Sequence, residues 1–226
     1  MTAHPSDPPV RRGGEPRPAG EPRPAGEPRR AGVDPVDAVA ALVHAALPRH
    51  PGPGPLVLGI DGRSGSGKSE LARGVTARLT EVLGADGGVV SLALESAYRG
   101  WDGLREGLEV VATEILAPLA AGRHGRTVRY DWEAAALDGE LVVPAPGAPL
   151  PRVLVVEGCG AGSRVCAPFV DMLVWLDAPE PVRRHRALTR DDGRWAHLWA
   201  SWAAQEQALL DERDAQAAAD LVLSTG

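Results

Sequence analysis

The run Gly62-Arg63-Ser64-Gly65-Ser66-Gly67-Lys68-Ser69 carries the residue types needed to hold a chain of phosphates. Its glycines let the backbone wrap an anion with successive N–H groups pointing inward, and a helix N-terminus directly after it adds positive potential. In such a cradle Gly62, Ser64, Gly65, Ser66, Gly67, Lys68 and Ser69 contact a nucleotide. Lys68 reaches the β- and γ-phosphates, and the Ser69 hydroxyl ligates Mg²⁺. Lys68 is also the only lysine among 24 basic residues. A composition rich in Ala, Gly, Pro and Arg explains the arginines as coding bias. The loop explains the exception, because it takes a compact point charge where a forked guanidinium would not fit.

Ligands of open parallel sheets sit beyond the carboxyl ends of the strands, so further chemistry is expected there. Val153–Val156 ends in Glu157-Gly158, an acid placed to hold Mg²⁺ or its water. Val89–Leu94 ends in Glu95-Ser96, where Glu95 could take the proton of an attacking hydroxyl. Either acid could instead only cap its strand. Asp61, just before the loop, is read as orienting the turn. Arg183, Arg186 and Arg190 recur at i, i+3 and i+7 and share one helical face. Three guanidinium groups there suit a γ-phosphoryl group in transfer, the alternative being a solvated face paired with Asp191 and Asp192. Tyr130-Asp131-Trp132 offers an aromatic platform beside a hydroxyl-binding acid. Trp195, Trp199 and Trp202 read as a core stripe. Cys159 and Cys166 are read as reduced thiols of a cytoplasmic protein, with nothing nearby to mark either as a nucleophile.

Positioning these groups takes alternating elements. Asp34-Pro35 starts a helix with Val36, Val39, Val43 and Leu47 on one face. Leu56–Ile60 is an apolar run, as in a strand buried on both faces. A helix from Ser69 to Leu83 follows with Leu71, Val75, Leu79 and Val82, then the strand at Val89. Leu104 to Ala120 reads as a helix with Leu108, Val111, Ile115 and Leu119. Val153–Val156 and Met172–Leu176 are further buried strands. Helices are expected over Pro181–Arg190 and Arg194–Arg213, and a last strand at Leu221–Leu223. The alternation predicts an α/β fold with a parallel sheet covered on both sides.

The chain divides near residue 33. Three near-copies of a hexapeptide begin at Gly14, Gly20 and Gly26, and their prolines block helix and sheet. Residues 1–33 are therefore expected to be a disordered or polyproline-II tail, and 34–226 one domain. The tail holds six Arg and four acids, so the rest carries 18 bases and 26 acids, a net of −8. That disfavours a nucleic-acid binder, which needs clustered positive charge. No secretory signal and no membrane span is predicted. The sequence contains no asparagine, which excludes the Asn-Lys-x-Asp guanine clamp of GTPases.

With these residues in hand, the chain from about 55 to 226 resembles the uridine kinase-like group of P-loop kinases, in the branch common in actinobacteria. The resemblance rests on Gly59 to Ser69, Glu95-Ser96-Ala97-Tyr98-Arg99, Tyr130-Asp131-Trp132, Val155-Val156-Glu157-Gly158 and the arginine helix. It implies a three-layer, nucleoside-kinase-like P-loop NTPase fold with a five-stranded parallel sheet and a helical lid. It implies an ATP- and Mg²⁺-dependent kinase acting on a small-molecule hydroxyl. Lys68, Glu95, Arg186 and Arg190 would be catalytic, and Arg183 would join the loop on ATP. Ser69, Glu95 and Glu157 would hold the metal, and Tyr98, Arg99, Tyr130, Asp131 and Trp132 the acceptor. The chain departs from the pattern in having Glu95 for an Asp and Ala97 for an aromatic. Ala135 and Leu137 stand where uridine kinases have a His and an Arg. Phosphate handling is thus retained while base recognition is not. The rival reading is a nucleotide-binding regulatory protein that phosphorylates nothing, with the arginine-rich tail as its docking arm.

Overall fold

The computed structural model describes residues 34–84 and 88–226, and the repeat-bearing tail lies outside the described residues. Helix α1 (Pro35–Ala46) begins where Asp34 Oδ1 accepts the Val36 N–H at 2.7 Å, with Pro35 pre-setting the first turn. Strand β1 (Leu56–Asp61) is buried along its whole length and leads through the phosphate loop into α2 (Lys68–Leu83). After β2 (Val89–Ala93), a 3₁₀ turn over Leu94–Ser96 carries Glu95. One helical rod then runs from Leu104 to Ala120 as α3 (Leu104–Val110), a π-helical stretch (Val111–Leu116) and α4 (Ala117–Ala120).

The hairpin of β3 (Gly125–Asp131) and β4 (Ala136–Val143) forms a separate antiparallel pair. Strands β5 (Val153–Glu157) and β6 (Met172–Asp177) return to the main sheet. Helices α5 (Glu180–Arg190) and α6 (Trp199–Glu212) follow, and β7 (Leu221–Ser224) closes the order. The main sheet runs β2-β5-β1-β6-β7 with every neighbouring pair parallel.

Alternation along the strands builds two cores. Leu56, Leu58 and Ile60 of β1 and Val153 and Val155 of β5 face α1 and α2, where Val39, Val43, Val75 and Leu79 cover them. Val57, Leu154 and Val156 face the opposite way, toward Leu104, Leu108, Ile115, Trp202 and Leu209. Strands apolar on both faces can only be central in a three-layer sandwich. Register pairs Glu157 with both Ile60 and Ala93, so the ends of β1, β2 and β5 meet at one edge.

The expected elements are present with shifted ends. Val82 is 44% exposed and does not belong to the apolar stripe of α2. The last helix begins at Trp199 after a 3₁₀ turn over Ala196–Leu198, not at Arg194. Because Trp195 precedes that turn, Trp195, Trp199 and Trp202 are not one continuous helical stripe.

Candidate active site

The phosphate loop joins β1 to α2 with the backbone its glycines permit. Gly65 has φ +79° and Gly67 φ +96°, and a Cβ on Gly65 would collide with the Arg183 carbonyl. Gly67 caps α2 without a side-chain hydrogen bond, which leaves first-turn N–H groups for an external acceptor. Beneath the loop, Asp61 accepts three backbone N–H groups, from Gly62 at 2.7 Å, Gly160 at 2.9 Å and Gly162 at 2.7 Å. Asp61 therefore ties the loop to the segment after β5. Ser66 is fully buried and does not line the adjoining cavity, and its carbonyl accepts from the Thr225 hydroxyl at 2.8 Å.

Lys68, Ser69 and Glu157 come together as expected. The Ser69 hydroxyl donates to the two Glu157 carboxylate oxygens at 3.1 and 3.2 Å. Burial pushes Glu157 up, opposed by Lys68 and by the Ser69 hydrogen bond. The Lys68 ammonium donates to the Arg63 carbonyl at 3.1 Å and to Cys159 Sγ at 3.4 Å. Burial alone would lower it. Cys159 and the carboxylates of Glu206, Asp61 and Glu157 more than offset that, so Lys68 stays charged above its ordinary value. These hard oxygens and the amine fit a nucleotide phosphate chain and Mg²⁺, which takes one or two carboxylates and fills its sphere with phosphate oxygens and water. Among the described residues there is no cluster of three or more His, Cys, Asp or Glu that could hold a metal alone.

A cavity of about 800 Å³ opens beside this group, and Glu95, Trp132, Arg186 and Arg190 line it too. The Trp132 indole N–H donates to the Glu95 carbonyl at 3.0 Å, fixing the hairpin to the 3₁₀ turn. Arg190 makes two 2.8 Å contacts with Asp191. Arg186 bonds the Thr225 hydroxyl at 3.2 Å and so links α5 to the chain after β7.

Other expected contacts have different partners. Arg183 lies 7% exposed beneath the loop, donating to the carbonyls of Ala178 at 3.0 Å and Ser64 at 3.2 Å; it braces the loop instead of facing the cavity. Arg99 binds the Val128 carbonyl at 3.0 Å, holding β3. Asp131 accepts the N–H groups of Glu133 and Ala134 at 2.8 and 2.9 Å, which closes the hairpin turn. Tyr130 packs edge-on against Trp132, with ring centroids 5.1 Å apart. Tyr98 reaches the cavity wall, but its hydroxyl donates to the Cys159 carbonyl at 2.8 Å, and burial pushes the phenol well above its ordinary value.

Sequence reasoning missed Glu206. It is 4% exposed, and its Oε1 accepts the Ser64 N–H at 2.7 Å, the Trp202 indole N–H at 3.1 Å and the Cys159 thiol at 3.1 Å. Its Oε2 pairs with Arg63 Nε at 3.2 Å. Arg63 also donates to the Ala203 carbonyl at 2.8 Å. One carboxylate thus joins α6 to the phosphate loop and, through Cys159, to Lys68. Burial pushes the Cys159 thiol well up, which keeps it a neutral donor. The available signal was an acid on the apolar side of a helix, between Trp202 and Leu209.

No family model matches the sequence, and no curated protein matches it. Solved structures do. A possible uridine kinase from Bacillus stearothermophilus superposes with a TM-score of 0.58 at 22% identity, over 84% of this chain and 97% of that one. A protein assigned as a fructose transport system kinase from Silicibacter sp. TM1040 gives 0.53 at 20% identity, over 85% of this chain and 100% of the other. This chain shares the fold of these two structures, a five-stranded parallel sheet covered by helices on both faces.

Proposed function

We propose that this protein is an ATP-dependent kinase that transfers the terminal phosphoryl group to the hydroxyl of a small molecule. The observation that carries this reading is the meeting of Lys68, Ser69 and Glu157 at one end of a cavity that Glu95 also lines. The loop amides and the Lys68 ammonium bind the phosphates. Ser69 and Glu157 would hold Mg²⁺, which when bound neutralises charge on the β- and γ-phosphate oxygens. Glu95 accepts the acceptor's hydroxyl proton. Arg186 and Arg190 stand on the same cavity to meet charge that develops on the transferred group. Arg183 keeps the loop in shape from beneath.

Two variants test the assignment. Lys68→Ala is expected to abolish turnover. Glu95→Gln is expected to lower kcat by about 10²- to 10⁴-fold while ATP still binds. Unchanged turnover in Glu95→Gln would remove Glu95 from the mechanism.

A further inference from the structure

Five of the six tryptophans line the cavity beside the phosphate loop. They come from four separate places: Trp101 before α3, Trp132 at the hairpin, Trp195 before α6, and Trp199 and Trp202 on α6. Trp101 is the hub. Its ring centroid lies 5.1 Å from Trp132, 5.1 Å from Trp195 and 5.8 Å from Trp202, and Tyr98 adds a fifth ring 5.5 Å from Trp202. At such spacings no further ring fits between them, so they form a continuous aromatic wall against which an occupant lies.

The wall is poor in groups that could read a polar edge. The indole N–H groups of Trp132, Trp199 and Trp202 are already given to the Glu95 carbonyl, to Glu180 at 3.3 Å and to Glu206, which leaves those of Trp101 and Trp195 as the wall's two unengaged indole donors among the described residues. The Tyr98 hydroxyl is given to Cys159. Among the described residues no Gln, Thr or His side chain lines the cavity, and its serines, Ser64 and Ser69, belong to the phosphate loop. The charged side chains around it balance, four acids against four bases, so neither sign of ion is favoured. A pyrimidine edge or a ring of sugar hydroxyls laid on this wall would meet at most two indole donors and no side-chain acceptor, and so would lose more hydrogen bonds to water than it regains there. An apolar body would lose nothing and gain aromatic contact.

We infer that the acceptor is an alcohol carried on an uncharged, largely apolar body that rests on the tryptophan wall and presents its hydroxyl to Glu95. The inference rests on the kinase reading above and names its substrate class. In the transfer, the alcohol oxygen bonds to the terminal phosphorus of ATP, and the bond from that phosphorus to the bridging oxygen breaks. ADP keeps the electron pair, and the hydroxyl proton passes to the Glu95 carboxylate.

The test uses the full-length protein with ATP and Mg²⁺. The acceptors are 2-phenylethanol and cyclohexylmethanol, with uridine, D-ribose and choline as comparison arms. Phosphate-ester formation is followed by mass spectrometry. Tryptophan fluorescence is titrated with each compound in the presence of ADP and Mg²⁺, since five of the six emitters line the cavity. The apolar alcohols should give a saturable fluorescence change and a kcat/KM at least about tenfold above the other arms. Trp195→Ala, and Trp101→Leu as a second variant, should raise their apparent Kd about three- to tenfold while the KM for ATP moves less than twofold. Preference for uridine, ribose or choline would overturn the inference while leaving the kinase intact. So would apolar alcohols that never perturb the fluorescence, or whose Kd both variants leave unchanged. Saturable, variant-sensitive binding of the apolar alcohols without any ester formed would uphold the recognition and overturn the kinase reading instead.

Discussion

The two ends of the cavity are built in opposite ways. At the proposed phosphate end the cradle is eight consecutive residues, whose backbone presents a helix N-terminus and glycines at positive φ. At the proposed acceptor end the surface is made by side chains, drawn from segments up to 101 residues apart. A backbone site tolerates little change, because its geometry is its chemistry. Glu206 joins the two, holding Ser64 and Arg63 of the loop with one carboxylate and Trp202 of the wall with the same group.

The largest effect is expected at that junction. Glu206→Ala leaves Arg63 and the Ser64 N–H without their buried partner and should cost about 3–5 kcal/mol, a Tm loss on the order of 10 °C by calorimetry. Glu206→Gln, which keeps an acceptor, should cost about 1–2 kcal/mol. If the two ends are joined as described, Glu206→Gln also weakens both ADP binding and acceptor binding. A change in only one of them would show the ends to be independent.

A smaller effect, confined to the phosphate end, is expected for Lys68→Arg. The guanidinium keeps the charge but not the shape, and kcat/KM should fall about 10²-fold, or about 2.7 kcal/mol, in steady-state assays. Full activity with arginine would show that charge alone suffices.

The smallest effect is one of stability. Burial raises the Glu157 pKa in the folded protein, so its charged form lowers stability above that pKa, and the penalty is relieved as pH falls through it. Glu157→Gln removes the penalty. Without ligands its Tm should equal or exceed that of the wild type at pH 8, and the gap should close on acidification. The same variant should lose the stabilisation that ADP with Mg²⁺ gives the wild type. A lower Tm at pH 8 would mean that the Ser69–Glu157 contact outweighs burial.

The same contrast decides what could be read in the sequence. The loop, Glu157 and the buried strands were legible because each signal is local: glycines at fixed offsets, an acid after an apolar run, a strand too apolar to face water. Trp195, Trp199 and Trp202 read as a core stripe, and Trp202 is indeed buried in one, but spacing shows which residues share a face and not whether that face also meets a cavity. Asp131 and Arg99 carry site-like chemistry, yet they are used up by a hairpin turn and a β3 carbonyl. The second strand of that hairpin was missed because Ala136–Glu140 is exposed and polar enough to read as loop. Glu206 carried only the weak signal of an acid among apolar helix positions, since its partners in the phosphate loop lie about 140 residues away.

The proposed activity moves the terminal phosphoryl group of ATP to an alcohol. The most direct test is ³¹P NMR of the wild-type protein with ATP, Mg²⁺ and an apolar alcohol. A phosphomonoester resonance growing in step with ADP is the expected result. ADP and inorganic phosphate appearing at one rate, with or without the alcohol, would contradict it.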